Sequence, residues 1–187
     1  MIVTIGGNIG CGKSTLLNRL NPKYTVVPEP VNKWGSWLDL FYSDMKRYGL
    51  GFQMKVLYEF LCPEDNTITE RCPLDALYVF GKALVQSDIL THMEYNLFSD
   101  YVHKIGWTPN VYVYLRADPQ VCFERIQKRS RNAENGVTLD YIIQIHNRYE
   151  KFIETLNDIG VSVYTVNANY EPDKVIEAVN TLLFSIM

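Results

Sequence analysis

Gly7-Asn8-Ile9-Gly10-Cys11-Gly12-Lys13-Ser14 is a run in which the residue types suit the wrapping of a polyphosphate. Glycines let the backbone curl around phosphate oxygens, and the amides that follow, through Thr15, open a helix whose N-terminus favours an anion. Lys13 would reach the β- and γ-phosphates, and the Ser14 hydroxyl would ligate Mg²⁺. The β-branched run Ile2-Val3-Thr4-Ile5 precedes the loop and the helically spaced Thr15-Leu16-Leu17-Asn18-Arg19-Leu20 follows it. This strand–loop–helix context implies that the chain binds a nucleoside triphosphate.

Three other places carry chemistry. Glu29, in Val27-Pro28-Glu29-Pro30-Val31-Asn32-Lys33-Trp34, follows an apolar strand and would stand where an acceptor hydroxyl could lie. Taken alone it reads better as a loop carboxylate on the surface. Thr69-Glu70-Arg71-Cys72 ends a second strand with a carboxylate and a guanidinium. No aspartate closes an apolar strand as partner to Ser14, which leaves Glu70 as the carboxylate on the Mg²⁺ side. Arg116, Arg125, Lys128, Arg129 and Arg131 precede the break at Asn135-Gly136, so residues 125–136 suit a basic lid. Phosphoryl transfer needs charge compensation on the migrating group and exclusion of water, and a basic lid supplies both. A solvated helix face would account for the same charges.

The elements that position these groups alternate. Strands are expected at 3–6, 25–28, 67–70, 111–115 and 162–166. Helical patterns fill 13–20, 36–48, 53–61, 74–85, 91–105, 119–131, 139–158 and 172–183. Strands separated by helices imply right-handed crossovers and a five-stranded parallel sheet flanked by helices on both faces, an α/β three-layer sandwich of P-loop NTPase type. The site then belongs at the carboxyl ends of the strands. No repeat or linker divides the chain, so residues 1–187 read as a single domain.

A net charge of −3 over 187 residues argues against nucleic acid as a partner. No apolar run reaches membrane-spanning length and no signal precedes the first strand. Cys11, Cys62, Cys72 and Cys122 form no CxxC pair, which fits a reducing, cytoplasmic setting without structural zinc. His92, His103 and His146 show no ligand spacing.

Taken together, the chain resembles the deoxyribonucleoside kinase family over nearly its whole length. The resemblance rests on Gly-Asn-Ile-Gly-x-Gly-Lys-Ser at 7–14, Glu-Pro-Val-x-x-Trp at 29–34, Phe52-Gln53, Glu70-Arg71, Tyr-Leu-Arg at 114–116, Glu124-Arg125-Ile126, and Leu-x-Tyr-x-x-x-x-His from Leu139 to His146. It implies transfer of the ATP γ-phosphoryl group to a deoxynucleoside 5′-hydroxyl. It also implies that Glu29 is the base, that Arg71 holds Glu29 and orients the 5′-oxygen, and that Glu70 serves the Mg²⁺ shell. Arg125, Arg129 and Arg131 match the lid cations, and Tyr42 and Glu134 match contacts to the sugar 3′-hydroxyl. Phe80 would stack on the base, with Ile9, Trp34 and Phe52 lining the pocket. The turn Asn167-Ala168-Asn169 falls where the family cradles adenine, and the resemblance implies a homodimer. The chain is shorter than animal members, which suits a compact, viral type. Cys11 and Cys72 stand where serine is common.

Spacing alone puts Gln53, Val56 and Phe60 on one helix face and Ala76, Phe80 and Leu84 on another. Most of these would pass as core, but a buried amide needs partners. The Gln53 carboxamide matches O4 and N3–H of thymine and, flipped, N4–H₂ and N3 of cytosine. Members preferring deoxycytidine carry Arg and Asp where this chain has Phe60 and Ala76, and Ala76 leaves room for the thymine methyl. A pyrimidine substrate with thymidine favoured is expected. Two alternatives stay open: a thymidylate-type monophosphate kinase, which would need extra cations where Glu29 stands, and a non-catalytic nucleotide-binding subunit.

Overall fold

The short β-branched runs become five parallel strands, β1 (Ile2–Gly6), β2 (Thr25–Val27), β3 (Thr67–Glu70), β4 (Val111–Arg116) and β5 (Ser162–Asn167), in the order β2-β3-β1-β4-β5. The computed structural model describes residues 1–20, 22–60, 62–129 and 136–187. Arg131 and Glu134, two of the expected lid and sugar residues, lie outside the described residues. The fold class is as expected, a P-loop NTPase-type α/β fold with a parallel sheet flanked by helices.

The chain divides into two compact units. The first comprises Met1–Pro28, Pro63–Arg71 and Pro109–Met187, and the second Glu29–Cys62 and Cys72–Thr108.

In the first unit, alternation along the strands separates two faces. Val3, Ile5, Val113 and Leu115 pack in one cluster with Leu16 and Leu17 of α1 (Lys13–Leu17), Ile126 of α7 (Pro119–Arg129) and Val175, Val179 and Leu183 of α9 (Pro172–Ile186). On the other face the Thr4 and Thr69 hydroxyls hydrogen-bond at 2.8 Å. There Tyr112 and Tyr114 meet Phe152 and Tyr149 of α8 (Leu139–Asp158), with ring centroids 5.5 and 5.7 Å apart. Helix α8 spans the residues expected from its spacing, since its buried stripe Ile142, Ile145, Tyr149, Phe152 and Leu156 is regular and Thr138 caps its start by accepting from the Tyr141 amide at 3.2 Å. Helix α1 is shorter than expected, ending at Leu17.

The second unit holds α2 (Trp37–Ser43), α3 (Met45–Glu59), α4 (Pro73–Asp75), a π-helical segment (Ala76–Gly81), α5 (Lys82–Gln86) and α6 (His92–Ile105). Here the structure departs from two sequence expectations. The pattern placed one helix over 36–48 and a break before Gln53; instead the break falls at Asp44, whose carboxylate caps α3 by accepting from the Arg47 amide at 3.1 Å. Helix α3 then runs through Gly49 and Gly51. These glycines serve close packing, because a Cβ at Gly51 would stand 2.7 Å from the Trp37 ring and one at Gly49 3.1 Å from Ile89. The second departure is the π-helical turn within the helix expected over 74–85. Its wider turn breaks the spacing assumed for Ala76, Phe80 and Leu84, and Phe80 is only half-buried while Ala76 and Leu84 are in the core.

One contact sets the hand-over from β1 to its loop. A Cβ on Gly6 would fall 1.6 Å from the hydroxyl of the fully buried Tyr112. Gly6→Ala is therefore expected to lower stability by about 2–3 kcal/mol through overpacking, read as a reduced midpoint in urea unfolding; an unchanged midpoint would show that the Tyr112 ring yields without cost.

Candidate active site

The loop after β1 is built on backbone that side chains resist. Gly10 has φ +81, and a Cβ there would stand 2.4 Å from the Cys122 carbonyl oxygen of α7. Asn8 is buried and ties the loop down, its Oδ1 accepting from the Ile9 amide at 2.8 Å and its Nδ2 donating to the Ile142 carbonyl of α8 at 2.9 Å. Lys13 is 5 % exposed, and its Nζ donates to the carbonyls of Gly7 at 3.1 Å and Asn8 at 2.9 Å. Ser14 and Thr15 are exposed at the head of α1.

Register brings the metal-side candidate to the same place. Ile5 of β1 pairs with Glu70 of β3, and the Ser14 hydroxyl donates to Glu70 Oε1 at 3.0 Å. Two hard oxygens thus converge beside the phosphate loop, which fits Mg²⁺, an ion ordinarily held by one or two protein oxygens with substrate phosphates completing its shell.

Arg71 follows directly. It is 7 % exposed and adopts φ +61, a left-handed conformation uncommon for a side chain of this size. Its amide donates to the Ile5 carbonyl at 3.1 Å, extending the β1 ladder, and its Nε donates to the Tyr149 hydroxyl at 3.2 Å.

The basic helix divides its cations. Arg125 donates from Nη1 to the Ala168 carbonyl at 2.8 Å and the Cys11 carbonyl at 3.4 Å, and from Nη2 to the Tyr170 carbonyl at 3.3 Å. It therefore clamps the phosphate loop to the turn after β5. In that turn Asn167 is exposed, its Oδ1 accepting from the Asn169 amide at 3.0 Å, while Asn169 Oδ1 accepts from the Asp118 amide at 2.8 Å. Arg129, at the end of α7, is exposed.

In the second unit, α3 turns Phe52, Gln53 and Val56 inward, and Phe60 at its end is buried too. Phe52 stacks on Phe41 at 4.8 Å and meets the edge of Trp34 at 5.5 Å. Two buried polar atoms in this cluster lack a hydrogen-bond partner among the described residues, Gln53 Oε1 and Trp34 Nε1. Glu29 is half-buried and Tyr42 is 39 % exposed. Ile9, in the first unit, is half-buried.

Comparison with known proteins shows the family of the chain. The sequence model of the family described as "Deoxynucleoside kinase" matches residues 3–183. The chain belongs to the deoxynucleoside kinase family. It is 38 % identical over 175 residues to "Putative kinase protein 029R" of Invertebrate iridescent virus 3, covering 90 % of this chain and 88 % of that one. It is 30 % identical over 201 residues to the "Thymidine kinase" of Ictalurid herpesvirus 1, covering 98 % and 86 %. The solved deoxyadenosine kinase of M. mycoides with bound dCTP superposes with a TM-score of 0.88 at 25 % identity, covering 99 % of this chain and 100 % of that one. The chain is accordingly a nucleoside kinase phosphotransferase, of a family that takes its phosphoryl group from ATP. Among the described residues no helix is long and apolar enough to cross a membrane.

The sequence points to the loop, Glu70 and Arg71 as candidates but not to the groups that hold them. In the sequence Asn8 reads only as part of the loop, and Tyr149 only as one more position of a helix. Its signal was available: Tyr149 lies on the buried stripe of α8, where a phenol demands a polar partner.

The cysteines are not equivalent. Cys72 caps α4, its amide and Sγ both within reach of Asp75 Oδ2 at 3.0 and 3.2 Å. Burial, and then the Asp75 carboxylate, push the Cys72 thiol well up, and burial pushes Cys122 up to about 12. Burial thus disfavours both thiolates and Cys11 is buried as well, whereas Cys62 is exposed. A disulfide reagent at pH 8 is expected to modify one cysteine quickly in the native enzyme. Cys62→Ser should abolish that phase, and a second fast thiol would contradict the assignment.

Proposed function

We propose that the chain transfers the γ-phosphoryl group of ATP to the 5′-hydroxyl of a pyrimidine deoxyribonucleoside, thymidine before deoxycytidine, and that residues 1–187 work as one kinase domain. The observation that carries the base preference is Gln53 Oε1, a buried acceptor with no donor among the described residues. The N3–H of thymine supplies such a donor, and the Gln53 amide group can then donate to O4. Ala76 is buried and small, and room for the thymine methyl is worth roughly 1–3 kcal/mol, enough to rank two pyrimidines without excluding either. A second reading is favoured by the likeness to the deoxyadenosine kinase, since the same carboxamide can pair with an adenine edge. The homodimer and cytoplasmic setting implied by the resemblance belong to the same reading.

In this reaction Lys13 and the loop amides bind the β- and γ-phosphates. Ser14 and Glu70 are the groups that would hold Mg²⁺, which supplies neutralisation of phosphate charge. The 5′-oxygen forms a bond to the γ-phosphorus as the bond to the β,γ-bridging oxygen breaks, and ADP leaves with that electron pair. Glu29 takes the hydroxyl proton. In a loose transition state that proton leaves late, so an ordinary carboxylate in position suffices. Arg71 orients the accepting oxygen, and Arg129 with Arg131 compensate charge on the transferring group. Phe80, Phe52, Trp34, Val56, Phe60, Leu84 and Ile9 enclose the base, Tyr42 and Glu134 contact the 3′-hydroxyl, and the Asn167 turn receives the adenine of ATP.

Initial rates with Mg-ATP and thymidine, deoxycytidine, deoxyadenosine, deoxyguanosine or thymidylate test the substrate. Thymidine is expected to be turned over fastest and deoxycytidine next. A purine-only profile would overturn the pyrimidine preference, and turnover of thymidylate alone would overturn the acceptor. Separately, Glu29→Gln should keep thymidine binding and lose about 10²–10⁴-fold in turnover; near-normal kcat would remove Glu29 from the base role.

A further inference from the structure

The left-handed backbone of Arg71 is held from two sides. Its amide is fixed to the Ile5 carbonyl at 3.1 Å, and its guanidinium Nε is fixed to the Tyr149 hydroxyl at 3.2 Å. A strained residue persists only where its surroundings over-determine it, and such residues gather at functional sites.

Tyr149 is itself immobilised. It is fully buried on α8, and its ring stacks on Tyr114 with centroids 5.7 Å apart and planes 17° apart. The Tyr114 hydroxyl donates to Glu150 Oε1 at 2.8 Å. The same carboxylate accepts from Arg116 Nε at 3.1 Å and 3.2 Å through its two oxygens, and His146 Nε2 stands 3.8 Å away. Adjacent residues of one helix thus do different work: Glu150 anchors the helix to β4 through Tyr114 and Arg116, and Tyr149 presents its hydroxyl to Arg71.

We infer that Tyr149 is a positioning residue for phosphoryl transfer, holding the Arg71 guanidinium in one orientation while Tyr114, Glu150 and Arg116 hold Tyr149. The inference rests on the reading of Arg71 as the group that orients the accepting oxygen. Tyr149 touches no substrate in this scheme, so its loss acts on turnover through the misplacement of Arg71 and leaves nucleoside binding alone.

The experiment is a double-mutant cycle in kcat and in thymidine KM, with thermal midpoints alongside. Tyr149→Phe removes only the hydroxyl and keeps the stacked ring. It is expected to lower kcat about tenfold, with KM changed less than about twofold and the midpoint within about 3 °C of wild type. In an Arg71→Ala background, or Arg71→Lys should the alanine variant not fold, the same change is expected to cost less than about twofold. An equal loss in both backgrounds would overturn the inference, because Tyr149 would then act independently of Arg71. A raised KM with a collapsed midpoint would overturn it as well, marking a packing role. Arg71→Ala with wild-type kcat would be a different failure, removing the role given to Arg71 and the inference with it.

Discussion

The amino group of Lys13 is buried at the head of the central strand, and the first unit is arranged around keeping its donors occupied. A buried donor without an acceptor costs about 1–3 kcal/mol, and here the acceptors are the carbonyls of Gly7 and Asn8. Turning those carbonyls inward requires the left-handed backbone of the loop glycines. That curl in turn presses the loop against neighbouring backbone: a Cβ at Gly7 would stand 2.6 Å from the Leu115 carbonyl oxygen of β4, and one at Gly10 2.4 Å from that of Cys122 in α7. The Asn8 side chain, donating to Ile142, extends the same requirement to α8. One loop thereby dictates where a strand and two helices stand, and a bound polyphosphate would find donors already collected.

Most of this was legible in the sequence because it is local. A strand, a glycine-rich loop and a helix are contiguous, and the carboxylate of Glu70 is placed by a parallel register that β-branched runs specify well. The regular stripe of α8 and its threonine cap gave that helix its observed ends. What escaped was decided by distant partners. Gly49 and Gly51 fall in the gap between the helical patterns 36–48 and 53–61, yet they lie inside α3, where Ile89 and Trp37 fill the space a side chain would need. The π-helical turn at 76–81 leaves no periodic trace strong enough to oppose the helical one. Arg125 read as a lid cation, and its sequence could not reveal that three backbone carbonyls use its donors.

On the proposed function, the two units meet their ligands in opposite ways. In the phosphate loop the Lys13 amino group already has acceptors, the carbonyls of Gly7 and Asn8, so it exchanges one set of partners for another when an anion arrives. The cluster around Gln53 and Trp34 instead carries a buried acceptor and a buried donor with no partner among the described residues. Each such atom costs about 1–3 kcal/mol while unpaired, and a ligand that supplies the complementary group removes that cost as it binds. Affinity at this cluster therefore depends on hydrogen-bond pattern more than on apolar area, because a base of the same size with the wrong edge leaves the cost in place. A site built to satisfy a ligand's N–H or O–H discriminates far more strongly than one that merely encloses a methyl group. On the proposed function, the identity of the base is set first by the Gln53 carboxamide, and the volume left by Ala76 and Phe60 ranks only those bases that already meet it.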